Sequence, residues 1–256
     1  MTRFANYPSL KDRAVVISGG ASGIGASLVR HFAEQGARVG FVDIDVQAGE
    51  SLAAELVAAG QVAKFTRCDV TDIAAYQAAI AGFAEAHGDA RVLVNNAAHD
   101  QRHDWSEVTP DYWDERMAVN LKHAFFAIQA VAPGMAKAGG GSIINFGSIS
   151  WMIMTPSIPL YETAKAAVHG LTRSMARELG RSAIRVNSLV PGAVMTQRQL
   201  DLWITEDDKK DIEAHQALSG LLTPDDCARM ALFLAADDSQ MISGQHFLVD
   251  AGWANG

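Results

Sequence analysis

The run Ala14-Val15-Val16-Ile17-Ser18-Gly19-Gly20-Ala21-Ser22-Gly23-Ile24-Gly25 decides the fold. A β-branched stretch, Ala14–Ser18, enters a turn spaced Gly19-x-x-x-Gly23-x-Gly25, and an alanine-rich segment with helical periodicity follows over Ala21–Gln35. In such a strand-to-helix turn Gly19 permits the tight reversal, Gly23 lets backbone approach a pyrophosphate, and Gly25 lets helix and strand pack closely. The helix N-terminus then faces phosphate charge. An ordinary glycine-rich connection is the competing reading, and the strand before and helix after it speak for the dinucleotide site.

Working outward, the same alternation repeats. Arg38–Val42, Val62–Arg67, Arg91–Asn95, Ser142–Phe146, Ile184–Val190 and His246–Asp250 read as further strands, with helical stretches such as Gln47–Ala59 between them. Near-continuously apolar strands alternating with helices predict a parallel sheet covered on both faces. The expected fold is a single α/β domain over residues 1–256, doubly wound and Rossmann-type, with a seven-stranded sheet. There is no repeat, linker or low-complexity tract. Met195–Leu222 departs from the pattern, being more polar and carrying Glu206-Asp207-Asp208-Lys209-Lys210 and an isolated Trp203. It follows Pro191-Gly192 at a predicted strand end, where ligands bind in this architecture, so residues 195–222 are expected to form a substrate lid. A solvated surface helix is the alternative.

Composition narrows the function classes. The 256 residues are 49% hydrophobic and 20% charged, with 21 basic against 29 acidic residues and a net charge of -8. No basic surplus exists to neutralise phosphates, which argues against nucleic acid or an anionic membrane as partner. Cys68 and Cys227 lack metal-type spacing and read as free thiols of a reducing compartment. The N-terminal stretch has no apolar core of signal length, and no run approaches the ~18 apolar residues of a membrane span. A soluble, cytoplasmic protein is expected.

Further positions carry chemistry. Asp43 ends the second strand, where a carboxylate accepts hydrogen bonds from an adenosine ribose and repels a 2′-phosphate; no arginine directly follows the first glycine. NAD is therefore favoured over NADP, a helix-capping aspartate being the alternative. Asp69, at the end of the third strand, is suited to an adenine amino group. Asn95-Asn96-Ala97-Ala98, at the end of the fourth, is placed for the adenosine side. Simple turn chemistry would also explain both. Tyr161 and Lys165 lie one helical turn apart, just after Ser157 and Pro159, so Tyr161 falls in a first helical turn. An ammonium and the positive helix end would lower the phenol from its usual value near 10. Ser148, ending the fifth strand, is placed to hydrogen-bond a substrate oxygen. Asn120, in a long helix beginning near Pro110, is placed to orient a proton-relaying water.

With these residues in view, the chain resembles the short-chain dehydrogenase/reductase family over its whole length. Asn120, Ser148, Tyr161 and Lys165 match its catalytic tetrad, and Gly19, Gly23, Gly25, Asp69, Asn95 and Pro191-Gly192 match its cofactor motifs. The resemblance implies NAD contacts that also involve Ser22, Ile24, Asp43, Val70, Ala97, Tyr161, Lys165, Val194 and Thr196. Ser18 stands where threonine is usual, and Ala98 and Ala251 where glycine is usual; each change should preserve the backbone path.

Four segments carry a closer resemblance, to bacterial NAD-dependent D-xylose 1-dehydrogenases and related aldose enzymes acting on L-arabinose, D-galactose or L-fucose. They are Asp100-Gln101-Arg102-His103, Gly140–Trp151, Tyr161–Lys165 and Val249–Trp253. The resemblance implies oxidation of a sugar at its anomeric carbon to a lactone. A polyol ring needs several hydrogen-bond partners and an apolar wall. Ser148 and Tyr161 with Asp100, Arg102 and His103 are the candidate polar contacts, and Trp151 the candidate wall, or else a core or subunit-interface tryptophan. Met152–Ile158 departs from the xylose enzymes and leaves the sugar open. His99-x-x-x-His103 has no third ligand, so no metal is expected. A ketone or 3-oxoacyl reductase and a silent dinucleotide-binding regulator are the alternatives, the first disfavoured by Asp43 and the second by the intact tetrad. The family resemblance also implies a homotetramer through helices near Tyr112–Lys137 and Pro159–Gly180, where Ala164, Ala166, Ala167 and Gly170 permit close approach.

Overall fold

The computed structural model describes residues 4–254. Seven strands form one sheet: β1 (Ala14–Ser18), β2 (Arg38–Asp43), β3 (Val62–Arg67), β4 (Val92–Asn95), β5 (Gly141–Phe146), β6 (Ile184–Pro191) and β7 (His246–Val249). Their order is β3-β2-β1-β4-β5-β6-β7, and every neighbouring pair is parallel. The sequence-based strands are these, with one end shifted by a single residue at β2, β4, β5, β6 and β7. β1 and β4 are buried at every position, which their Val, Ile and Ala content permits, whereas β3, at the sheet edge, is largely exposed or half-buried.

The helices are α1 (Gly23–Glu34), α2 (Val46–Ala58), α3 (Ile73–His87), α4 (Pro110–Met117), α5 (His123–Lys137), α6 (Ser150–Ile153), α7 (Pro159–Leu179), α8 (Gln197–Leu202), α9 (Glu206–His215) and α10 (Pro224–Ala235). Capping carboxylates and hydroxyls fix where several begin. Asp45 accepts from Ala48 N at 3.0 Å, Asp72 from Ala75 N at 3.0 Å and Thr109 from Tyr112 N at 3.2 Å. The helix predicted from Ala21 begins at Gly23, because Ser22 is its extended N-cap. A π-helical stretch, Ala118–Lys122, joins α4 to α5 and contains Asn120. Such bulges recur at functional sites.

The core has two halves. On one face Leu28, Val29 and Phe32 of α1 pack with Ala231 and Leu232 of α10 against the sheet; on the other, Tyr76 and Phe83 of α3 meet Ile128 and Met135 of α5. Each such large side chain contributes about 1.5–3 kcal/mol by leaving water. From β1 the chain winds outward to β2 and β3, then returns to β4 on the other side. That reversal opens a crevice above the carboxyl ends of β1 and β4. Cys68 and Cys227 are buried free thiols. Among the described residues, no helix is long and apolar enough to cross a membrane.

Candidate active site

Side chains and backbone lock the two strand ends at the crevice together. Ser18 Oγ accepts from Asn96 N and Ala97 N, each at 3.1 Å, while Asn96 Nδ2 donates to Ser18 O at 3.1 Å and Gly19 O at 2.9 Å. The hydroxyl is what this position uses, so serine serves as threonine would. Gly19 has φ +66°, and a Cβ at Gly25 would lie 1.7 Å from Gly19 O. Only glycines close this turn. Across it, a Cβ on Gly23 would stand 3.2 Å from Thr196 Cγ2, so the turn faces the start of the 195–222 excursion over a slot of backbone width. Ile24, Pro191, Gly192, Val194 and Thr196 line the cleft that continues from it. These residues fit a dinucleotide: the space that Cβ atoms would fill is where a pyrophosphate would rest, at the N-terminus of α1.

Asp43 Oδ2 accepts from Ala21 N at 2.9 Å and Oδ1 from Asp45 N at 3.1 Å, which aims the half-buried carboxylate over the glycine turn. Asp69 is exposed, with Thr71 N and Oγ1 on its Oδ1 at 2.9 and 2.7 Å, beside buried Val70. Asn95 differs from expectation. Its amide is buried inside the protein, donating to Asn145 Oδ1 at 2.9 Å, and Asn145 in turn donates to Thr172 Oγ1 at 3.0 Å. Successive residues of a strand point to opposite faces, so the neighbour Asn96 reaches the cleft instead.

Ser148, Tyr161 and Lys165 come together at the same cleft. Ser148, just past β5, hydrogen-bonds the Tyr161 hydroxyl and accepts from Ser150 N at 3.1 Å. Tyr161 sits in the first turn of α7, which Pro159 opens. Lys165 is buried; its Nζ donates to Phe146 O at 2.7 Å and stands 5.5 Å from the Tyr161 ring centroid. Burial pushes the lysine down to about 8, partly opposed by the Asp100 carboxylate. Tyr161 runs against the sequence-based expectation: burial first, then Asp100, raise its phenol above the ordinary value, and Ser148 only partly offsets them. Burial disfavours the charged phenolate more than the Ser148 hydrogen bond favours it.

Asn120 spends both ends of its amide on His99, accepting from its N at 2.8 Å and donating to its O at 3.1 Å. It thereby fixes the segment after β4 against the π-helical stretch.

The cleft that Ser148, Tyr161 and Lys165 help to line encloses about 370 Å³. Asp100 and Arg102 line it as expected. His103 does not: its ring packs edge-on against Tyr112, 5.2 Å between centroids, with Nδ1 on Gln101 O at 2.9 Å. His99 is set between Arg116 and Arg198 rather than toward His103. Trp151 is also elsewhere. It lies half-buried on the short α6, edge-on to His169 at 5.1 Å, and His169 stacks on His246 at 3.8 Å. The aromatic lining comes instead from Trp203 of the excursion, whose ring carries the Arg102 guanidinium at 4.6 Å, and from Trp253. A tryptophan alone in a polar stretch was the available signal for Trp203. Gln199 is a further lining residue, with no signal in the sequence.

A family model described as Enoyl-(Acyl carrier protein) reductase matches residues 19–254. The chain is 50% identical over 249 residues to D-xylose 1-dehydrogenase of Caulobacter vibrioides, covering 97% of this chain and 98% of that protein. The chain belongs to the short-chain dehydrogenase/reductase family. Within the short-chain dehydrogenases/reductases it is also 45% identical to "Probable galactose dehydrogenase GalD" of Rhizobium meliloti, over 97% of each chain. Among solved structures, a blue fluorescent protein from a metagenomic library, in complex with NADPH, superposes with a TM-score of 0.89 at 32% identity, covering 96% of this chain and 99% of that one. The fold, a single α/β domain with one seven-stranded parallel sheet, and an oxidoreductase chemistry follow from membership.

Proposed function

We propose that this protein oxidises the anomeric carbon of an aldose with NAD, giving a sugar lactone. The observation that carries the reading is the placement of Ser148, Tyr161 and Lys165 at one end of a cleft whose other walls hold a carboxylate, a carboxamide, a guanidinium and two indoles. A polyol has use for that mixture of polar and aromatic groups, and a flat hydrocarbon has little. The 50% identity to a D-xylose enzyme supports the same class. Asp43 supports NAD: its carboxylate lies above the glycine turn, and no basic residue occurs in Ser18–Gly25 or Ile44–Val46 to attract a 2′-phosphate.

Bound NAD supplies the acceptor for the hydride that leaves C1. Ser148 holds the C1 hydroxyl, and Tyr161 takes its proton as the C1–H bond breaks, leaving a carbonyl in the ring. Phenol alone is too weak a base here, since burial raises it. Lys165, beside the ring, and the positive charge of the oxidised cofactor favour the phenolate. A lysine brought down to about 8 also exchanges its own proton at mildly alkaline pH, which suits it to pass the proton on. Asn120, placed through His99, is proposed to complete that relay with a water, and Asp43, Asp69, Val70 and Ala97 to hold the adenosine half.

The residue 195–222 excursion is proposed as a substrate lid. Gly170 on α7, with open space beyond it, and half-exposed Trp113 and Phe125 on α4 and α5 support a homotetramer, and the acidic, span-free chain supports a cytoplasmic setting.

The test is NAD reduction across a panel of aldoses, with ketones and NADH run in reverse. Turnover of one pentose or hexose well above the rest is expected. Silence on every sugar, with turnover of a ketone, would leave the fold and remove the sugar assignment. Light scattering at the mass of a single chain would remove the tetramer.

A further inference from the structure

Gln199 is on the excursion, in α8, and Asp100 follows β4, yet their side chains meet in the cleft: Gln199 Nε2 donates to Asp100 Oδ2 at 2.7 Å. Arg198 approaches the other oxygen at 3.3 Å. Asp100 and Gln199 line the same cleft as Ser148, Tyr161 and Lys165, so the pair faces the space in which the reacting hydroxyl must sit. A hydroxyl is donor and acceptor at once. It can therefore enter between a carboxylate and a carboxamide, donating to Asp100 and accepting from Gln199, and replace one hydrogen bond by two. A ketone can accept from Gln199 but leaves the Asp100 carboxylate without its donor, and an aliphatic group pairs with neither.

We propose that Gln199, paired with Asp100, is a specificity-determining residue that reads one ring hydroxyl of the aldose beside the oxidised carbon. Arg102, stacked on Trp203, forms the neighbouring wall against which the ring rests. Because Gln199 sits on the excursion, the sugar takes over one of the contacts that hold α8 to the segment after β4. The inference rests on the aldose reading above.

The experiment compares kcat/KM for the best aldose in the panel and for its monodeoxy analogues, in the full-length enzyme and in Gln199→Met. The methionine keeps the length of the side chain and removes its donor. The parent enzyme should reject one deoxy analogue by at least about tenfold, the loss of a net hydrogen bond to a charged carboxylate. In Gln199→Met that discrimination should vanish at the same position and persist at the others, with NADH binding, followed by fluorescence, unchanged. Gln199→Glu, which sets like charge against Asp100, should lose the parent sugar still more. Discrimination unchanged at every position, or an equal loss on the sugar and all analogues, would overturn the assignment of Gln199 while leaving the aldose reading in place. No aldose turnover by the parent enzyme would overturn both.

Discussion

The two walls of the cleft are built in different ways. On the dinucleotide side the backbone does most of the holding: Gly20 N donates to Val42 O at 3.1 Å, Cys68 N to Asp43 O at 2.9 Å, and Asn96 ties β4 to the glycine turn. On the excursion side, α8 and α9 rest on side-chain pairs. Gln199 and Arg198 meet Asp100, Arg102 covers Trp203, and His215 stacks on Trp253 at 5.5 Å. Backbone joins this excursion to the body at its base, by the Val194–Leu222 bridge, and at Ala217 and Leu218, which donate to Ala251 O. One wall is therefore fixed once the sheet forms. The other is held by contacts that a polar ligand can replace, which is what a substrate wall requires.

Substitutions can break or sharpen this contrast. Tyr161→Phe should have the largest effect, a loss of turnover of about 10³-fold, the range of a general base, with dinucleotide binding retained. Loss of binding as well would contradict the role given to Tyr161. Gly25→Ala drives a Cβ into Gly19 O, so it should abolish dinucleotide binding and lower stability by about 1–3 kcal/mol, read by denaturant unfolding. Acid should weaken the dinucleotide side through His123. Burial, aided by Lys165, holds this imidazole down to about 4, with Nε2 on Ala97 O at 3.1 Å. Its contribution is complete above its unfolded value near 6.5 and is lost as pH falls through the folded one, about 3 kcal/mol in all. His123→Gln should flatten the fall in unfolding free energy between those limits.

On the other wall, Trp203→Ala should raise KM for the sugar about fivefold, roughly 1 kcal/mol, and leave KM for NAD alone. Equal effects on both would merge the two walls into one site. The smallest change is expected at Ala251, a non-glycine residue at φ +56° whose carbonyl anchors Ala217 and Leu218. Ala251→Gly should stabilise by about 0.5–1 kcal/mol in thermal melting, relief of the left-handed strain exceeding the added chain entropy.

The same contrast explains what the sequence disclosed. Strand runs, the glycine turn and the Ser148, Tyr161 and Lys165 spacing are local patterns tied to backbone periodicity, and the structure brings them together as read. The choice between Asn95 and Asn96 depended on one-residue parity at a strand end, where either amide reads alike. Trp151 and His103 are near the right residues in the chain, but the direction of a side chain on a four-residue helix or a loop is set by long-range neighbours, here His169 and Tyr112. The pairing of Gln199 with Asp100 joins positions 99 apart in the chain and left no local trace. A sequence pattern shows the lysine and helix end near the Tyr161 phenol but not the burial and the Asp100 carboxylate that raise it.

The strand order also governs how the molecule must be assembled in time. β1 pairs with β4 from Val15–Val92 to Ile17–Val94, and Asn96 then closes over the glycine turn. The nucleotide turn therefore stays open until α1, β2, α2, β3 and α3 have all been made and wound past. Such distant pairings place the chain among slow folders, on scales of milliseconds to seconds. Until β4 arrives, β1 presents a bare, largely apolar strand edge, the kind that invites association with other chains. The strand that later supports the cofactor is, during synthesis, the part of this protein in most need of a chaperone.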